Sequence, residues 1–122
     1  MQKDTPEYEQ ALDAVVDILR ERAGAGGAPL PYGDLSRELA RRGHHVPAHE
    51  GPMSCLLEDA SVRESPDGSP PLLSALVLLK DSGHPSGGFF KLARRSPYKR
   101  PGDDTELWIE EIKRPARHLA SR

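Results

Sequence analysis

Leu72–Leu79 (LLSALVLL) has seven apolar residues out of eight, and it is closed off by SPDGSPP before it and KDSG after it. Proline and glycine on both sides leave no room for a helix of ordinary length. The run reads as a buried strand followed by a turn. The next bend is His84–Gly88 (HPSGG), after which Phe89, Phe90 and Leu92 bring the chain back as a short strand or a helical turn.

Upstream, the apolar period changes from runs to stripes. Leu12, Val15, Val16 and Leu19 are spaced three, one and three apart, which predicts a helix over Tyr8–Arg22. Pro6 suits its first turn, and Glu7 and Glu9 suit the positive end of its dipole. Gly24–Pro29 ends it. A second helix is predicted over Gly33–Arg42, with Leu35 and Leu39 on one face and Asp34 as N-cap or first-turn acid. Gly43 has the place of a C′ glycine. A third short helix starts near Pro52 and carries Met53, Leu56, Leu57, Ala60 and Val62. Cys55 falls inside it and reads as a small core residue without a functional role. Ser96–Asp104 reads as a basic linker. A last helix is predicted over Thr105 to about Leu119, kinked or ended by Pro115. Trp108, Ile109 and Ile112 would form its inner face, docked on the first helix or left as a partner surface.

The fold class expected is α+β, mostly helical. Its order is helix, helix, loop, helix, strand, glycine-rich turn and return, as in a winged helix with extra N- and C-terminal helices. The 122 residues fit a single domain over 1–122. The winged-helix core would cover about 31–93, the N-terminal helix about 7–23 and the C-terminal helix about 105–119. No segment nears the roughly 20 apolar residues that cross a bilayer. The lone cysteine and the acidic, polar N-terminus fit a reducing, cytoplasmic setting. Twelve Arg against five Lys hint at a GC-rich bacterial gene.

The net charge of −2 argues against a nucleic-acid coat over the whole surface. Its distribution is more telling. Residues 1–31 carry −3, residues 32–102 carry +2, and residues 103–122 carry −1. Gly88–Arg100 holds five cations and no acid. Screening over about 10 Å lets such a patch meet phosphates despite distant acids.

Two short stretches carry a resemblance. Pro31–Tyr32–Gly33–Asp34–Leu35–Ser36 resembles the TYGDLA that opens the DNA-binding helices of the O6-alkylguanine alkyltransferases and alkyltransferase-like proteins. Leu78–Leu79–Lys80–Asp81–Ser82–Gly83, then Gly87–Gly88–Phe89, is similar to that family's VVRSDG…GGY hairpin. The resemblance spans residues 31–90, about half the chain. It implies a fold and a DNA-facing surface but no alkyl transfer. Where the family has Pro-Cys-His-Arg, this chain has Ser74, Ala75, Leu76 and Val77. The third helix, with Glu58 and Asp59, would repel phosphates rather than read bases.

The expected function is therefore a non-enzymatic, weakly specific binder of duplex DNA. Arg37, Arg41 and Arg42 on the second helix, and Lys80, Lys91, Arg94, Arg95, Lys99 and Arg100 around the wing, are the candidate phosphate contacts. A solvated helix face and a solubilising linker are the plain alternatives for these two groups. Phe89 and Phe90 read as packing rather than base-stacking residues. His44, His45 and His49 lack the spacing of a zinc site, so no metal or other cofactor is expected. No phosphate loop or paired-carboxylate signature points to an enzyme. The alternative function is a protein-interaction module, with a partner at the acidic first helix or at the C-terminal helix.

Overall fold

The computed structural model describes residues 5–25, 29–47, 51–64, 73–79, 83–85, 87–95 and 98–111. The first helix, α1, spans Pro6–Gly24. The Tyr8 N–H donates to Thr5 Oγ1 at 3.2 Å, so a hydroxyl meets one of the donors that a helix start leaves open. Tyr8, Ala11, Leu12, Val15, Val16, Ile18 and Leu19 are buried along one side. Glu9, Asp13, Asp17 and Arg20 stay exposed, as the apolar stripe requires.

A two-residue strand, β1 (Leu30–Pro31), leads directly into α2 (Tyr32–Arg41). Pro31 is the N-cap residue and offers no side-chain bond, so Asp34 acts as a first-turn acid. Gly43 ends this helix as anticipated. It takes φ +90°, its N–H donates to the Ala40 carbonyl at 3.1 Å, and the His44 N–H donates to the Leu39 carbonyl at 2.8 Å. That pair of bonds is a Schellman motif, and its left-handed residue favours glycine.

Helix α3 (Gly51–Glu64) buries Met53, Leu56, Leu57, Ala60 and Ser61. It packs against α1, against a 3-10 turn at Leu73–Leu76, and against α4 (Gly87–Arg94). Between the turn and α4 lies β2 (Val77–Leu78), which pairs in parallel with β1, Leu30 beside Val77 and Pro31 beside Leu78. A fifth helix, α5, runs over 104–111. Asp103 caps it by accepting the Glu106 N–H at 2.9 Å, and that bond holds the Asp103 carboxyl below its usual range.

The mostly helical α+β class stands, with five helices and a two-stranded parallel sheet among the described residues. Three expectations change. The Leu72–Leu79 run is not one strand: Leu73–Leu76 is a buried 3-10 turn and only Val77–Leu78 is extended, with Leu72 outside the described residues. Its partner is two residues long and gives way at once to α2, so the ladder has nothing further to pair with. No antiparallel hairpin wing occurs among the described residues. The Leu79 N–H donates to the His84 carbonyl and the Gly83 N–H to the Leu79 carbonyl, both at 2.9 Å. From Gly87 the chain is helical because Phe89, Leu92 and Ala93 are spaced three and four apart and bury one face of α4.

The third change concerns α5. Its inner face is Leu107 and Glu111, with Trp108 partly buried, whereas Ile109 is 40% exposed; Ile112 lies outside the described residues. Leu107 and Trp108 join a cluster of Ala75, Phe89, Leu92, Ala93 and Tyr98 rather than docking on α1. The Trp108 Nε1–H donates to the Ala75 carbonyl at 3.0 Å. Val62, expected on the apolar face of the third helix, is 36% exposed.

A buried hydroxyl helps tie α1 to α3. The buried Tyr8 hydroxyl donates to Asp59 Oδ2 at 2.5 Å. Burial first, and the Asp59 carboxylate second, push the phenol far above its ordinary pKa of about 10. A raised folded pKa gives stability that is complete below about pH 10 and is lost above it, because only the unfolded chain then ionises. Tyr8→Phe should lower the Tm modestly, by about 1 kcal/mol of stability at neutral pH. It should also flatten the fall of Tm between about pH 9 and pH 11. An unchanged alkaline slope in this variant would refute the role given to Tyr8.

Candidate nucleic-acid interface

The two stretches that resemble the alkyltransferase family lie more than forty residues apart in sequence but come together in the fold. β1 and β2 pair directly, Pro31 beside Leu78. Just past them, Tyr32 and Phe89 line a hollow of about 120 Å³, together with Ser54, Cys55, Glu58 and Ser74. Ser74 is held there by Ser61, whose hydroxyl donates to Ser74 Oγ at 2.9 Å and accepts the Ser74 N–H at 3.0 Å. Both serines are buried, and the 3-10 turn is thereby pinned to α3.

Helix α4 forms one wall of this hollow through Gly88, Phe89 and Leu92. Gly88, Lys91 and Arg95 are spaced three and four apart along one side of it, and all three are exposed. The Arg95 guanidinium reaches Glu58 of α3 at 2.7 Å. Arg94 turns the other way, to Asp104 at 2.6 Å and to the Gly102 carbonyl at 3.2 Å, and so fastens α4 to the start of α5. Lys99 is exposed in a left-handed conformation, φ 42°. Lys80 lies outside the described residues.

The cations of α2 form a separate group. With Arg22, they line a groove of about 510 Å³ between α1 and α2. Arg37 pairs with Asp34, Arg41 with Glu38 at 3.2 Å, and Arg42 with Glu38 at 3.4 Å and Glu21 at 3.1 Å. All of these pairs are exposed at one partner or both, so each contributes about 0–1 kcal/mol and can be exchanged. On a helix of about 3.6 residues per turn, Arg37 and Arg41 sit roughly opposite Tyr32, so this group faces away from the hollow.

Arg100 belongs to neither group. Its Nε donates to Glu111 at 2.5 Å, Nη1 donates to the Tyr98 carbonyl at 3.1 Å, and Nη2 is buried without a hydrogen-bond partner among the described residues. The Arg100 side chain is 10% exposed and that of Glu111 is 1% exposed. This buried pair joins the 98–100 segment to α5. Its position six residues past α4 gave no sequence sign of burial, because the partner is on another element.

The third helix is not a free reading head. α1, the 3-10 turn and α4 cover it, Asp59 holds Tyr8, and Arg63 holds Glu9 and Asp13. Cys55 is exposed, not a core residue. Met53, Leu56, Leu57 and Ala60 keep a three-to-four spacing on the buried side, and Cys55 falls between them onto the other face. The same periodicity would have placed Ser54, Cys55 and Glu58 together on the hollow. His44 is half-buried, His45 is exposed and His49 lies outside the described residues. Among the described residues, no group of three or more His, Cys, Asp or Glu is placed to hold a metal ion. None of the described helices is long and apolar enough to cross a membrane.

No protein-family model, curated protein or solved structure matches this chain.

Two variants separate structural from surface roles. Arg100→Ala leaves Glu111 buried without its cation and should destabilise the fold by about 3–5 kcal/mol, read as a lower urea midpoint. A stability within about 0.5 kcal/mol of wild type would contradict the assignment. Cys55→Ser should shift stability by no more than about 0.5 kcal/mol, and a thiol reagent should modify the native protein without prior unfolding. Protection of the thiol until the protein unfolds would count against an exposed Cys55.

Proposed function

We propose that this protein is a non-enzymatic binder of duplex DNA that contacts the phosphate backbone with little sequence preference. One observation carries the reading. The two stretches resembling the alkyltransferase family meet at a single hollow, and α4, which walls that hollow, bears exposed cations and no acid. The likeness implies a winged-helix type of DNA-facing domain, with α4 in place of the return strand of the wing. Ser74, Ala75, Leu76 and Val77 replace the nucleophile segment of that family, so no methyl acceptor is supplied and binding alone remains.

Backbone contact works by charge. Each Lys or Arg that neutralises a phosphate releases condensed counterions, and affinity then falls with salt. Lys91 and Arg95 share one ridge and are the main contacts in this reading. Lys99 and Arg94 flank them. Arg37, Arg41 and Arg42 are secondary, since they line the separate α1–α2 groove rather than the hollow where the two stretches meet.

A second reading has its own support. The α1–α2 groove alternates four guanidinium groups with Glu21, Asp34 and Glu38. Mixed charge of this kind suits the polar rim of a protein partner better than a polyanion.

A salt titration of duplex affinity decides between them. Wild type should be retained at low salt, with a linear log–log slope. Lys91→Gln with Arg95→Gln should reduce that slope by up to about 2 units and weaken all duplex sequences alike. Arg94→Gln should change it less. No retention at low salt would leave the protein-interaction reading in its place.

A further inference from the structure

We infer that Glu58 is an internal competitor for the phosphate backbone: from the wall of the hollow it holds Arg95, and a duplex must displace it to gain that contact. The inference rests on the DNA-binding reading and adds a regulatory contact to the same site.

The cations near α4 differ in how far they are committed. Arg100 is locked to the buried Glu111 and cannot be exchanged. Arg94 is held by two acceptors, the Asp104 carboxylate and the Gly102 carbonyl. Arg95 has Glu58 as its one partner among the described residues, at 2.7 Å, with side chains 56% and 44% exposed. Such a pair is weak and open to solvent, so an incoming phosphate can take the guanidinium. Phosphate offers a denser set of acceptors and the same bidentate geometry as a carboxylate.

The placement gives the exchange its consequence. Glu58 comes from α3 and lines the hollow; Arg95 directly follows α4, whose Gly88, Phe89 and Leu92 also line it. The ion pair therefore ties α3 to the end of the α4 segment. A phosphate that takes Arg95 must first break the Glu58 pair, and the energy of that pair is subtracted from the gain in binding. Asp59, the neighbouring acid, is not equivalent, because its carboxylate is occupied by the Tyr8 hydroxyl.

The test is a double-mutant cycle on the full chain, read as duplex affinity at low salt. Glu58→Gln should tighten binding about two- to fivefold, the range expected for release of an exposed ion pair. In an Arg95→Gln background the same change should give little or no gain. Asp17→Asn, an exposed acid of α1, supplies the control for net charge and should give a small gain of equal size in both backgrounds. A Glu58→Gln gain that persists undiminished without Arg95, or that Asp17→Asn reproduces, overturns the competitor role while leaving DNA binding in place. Wild type that fails to bind duplex at any salt overturns both. Circular dichroism melts of each variant guard against loss of fold, and Arg95→Lys should restore part of the coupling.

Discussion

The burial of one side of α3 is the contact on which the rest of the structure depends. Met53, Leu56, Leu57 and Ala60 come from this helix, and α1, the 3-10 turn and α4 all meet it. Each fully buried Leu or Met contributes about 1.5–3 kcal/mol. A substitution such as Leu56→Ala would remove contacts to several elements at once. The polar bonds of Tyr8 with Asp59 and of Ser61 with Ser74 then fix the orientation of the elements that the apolar surface brings together.

For the function proposed above, this changes the roles of the helices. An element enclosed on several sides cannot lie in a DNA groove. Its exposed remainder is short, polar and partly acidic, and it is engaged in ion pairs, Arg63 near its end with α1 and Glu58 in its middle with Arg95 just past α4. The surface left to α4 is small: three exposed cations on or just past a helix with no acid of its own, two of them paired with acids of other elements. On α2 the cations are as numerous, and the carboxylates of Asp34 and Glu38 stand on the same helix.

Much of the secondary structure was legible in the sequence because period and punctuation agreed. α1 follows its apolar stripe, α2 stops at the glycine that a left-handed C′ residue requires, and α3 begins beside Pro52. The run Leu72–Leu79 was misleading because length and apolarity do not distinguish a strand from a buried turn; the partner strand decides, and it is two residues long. Phe89–Leu92 carried both periods, and the tertiary contacts of Phe89 and Leu92 selected the helical one. The site was less legible still. That Arg100 is buried, that Arg95 is paired and that Arg94 serves α5 are facts about partners distant in sequence, and the order of cations along the chain does not contain them.

The parallel pairing of β1 with β2 has a kinetic meaning. Leu30 and Val77 are 47 residues apart, and joining the ends of a loop of that length costs about 3 kcal/mol in chain entropy, beyond a constant term. A two-residue ladder that includes a proline forms few hydrogen bonds, each worth about 1 kcal/mol net. It cannot nucleate the fold. The helices must dock first and carry the two strands into register, so the sheet forms late and reports on a helical core already in place.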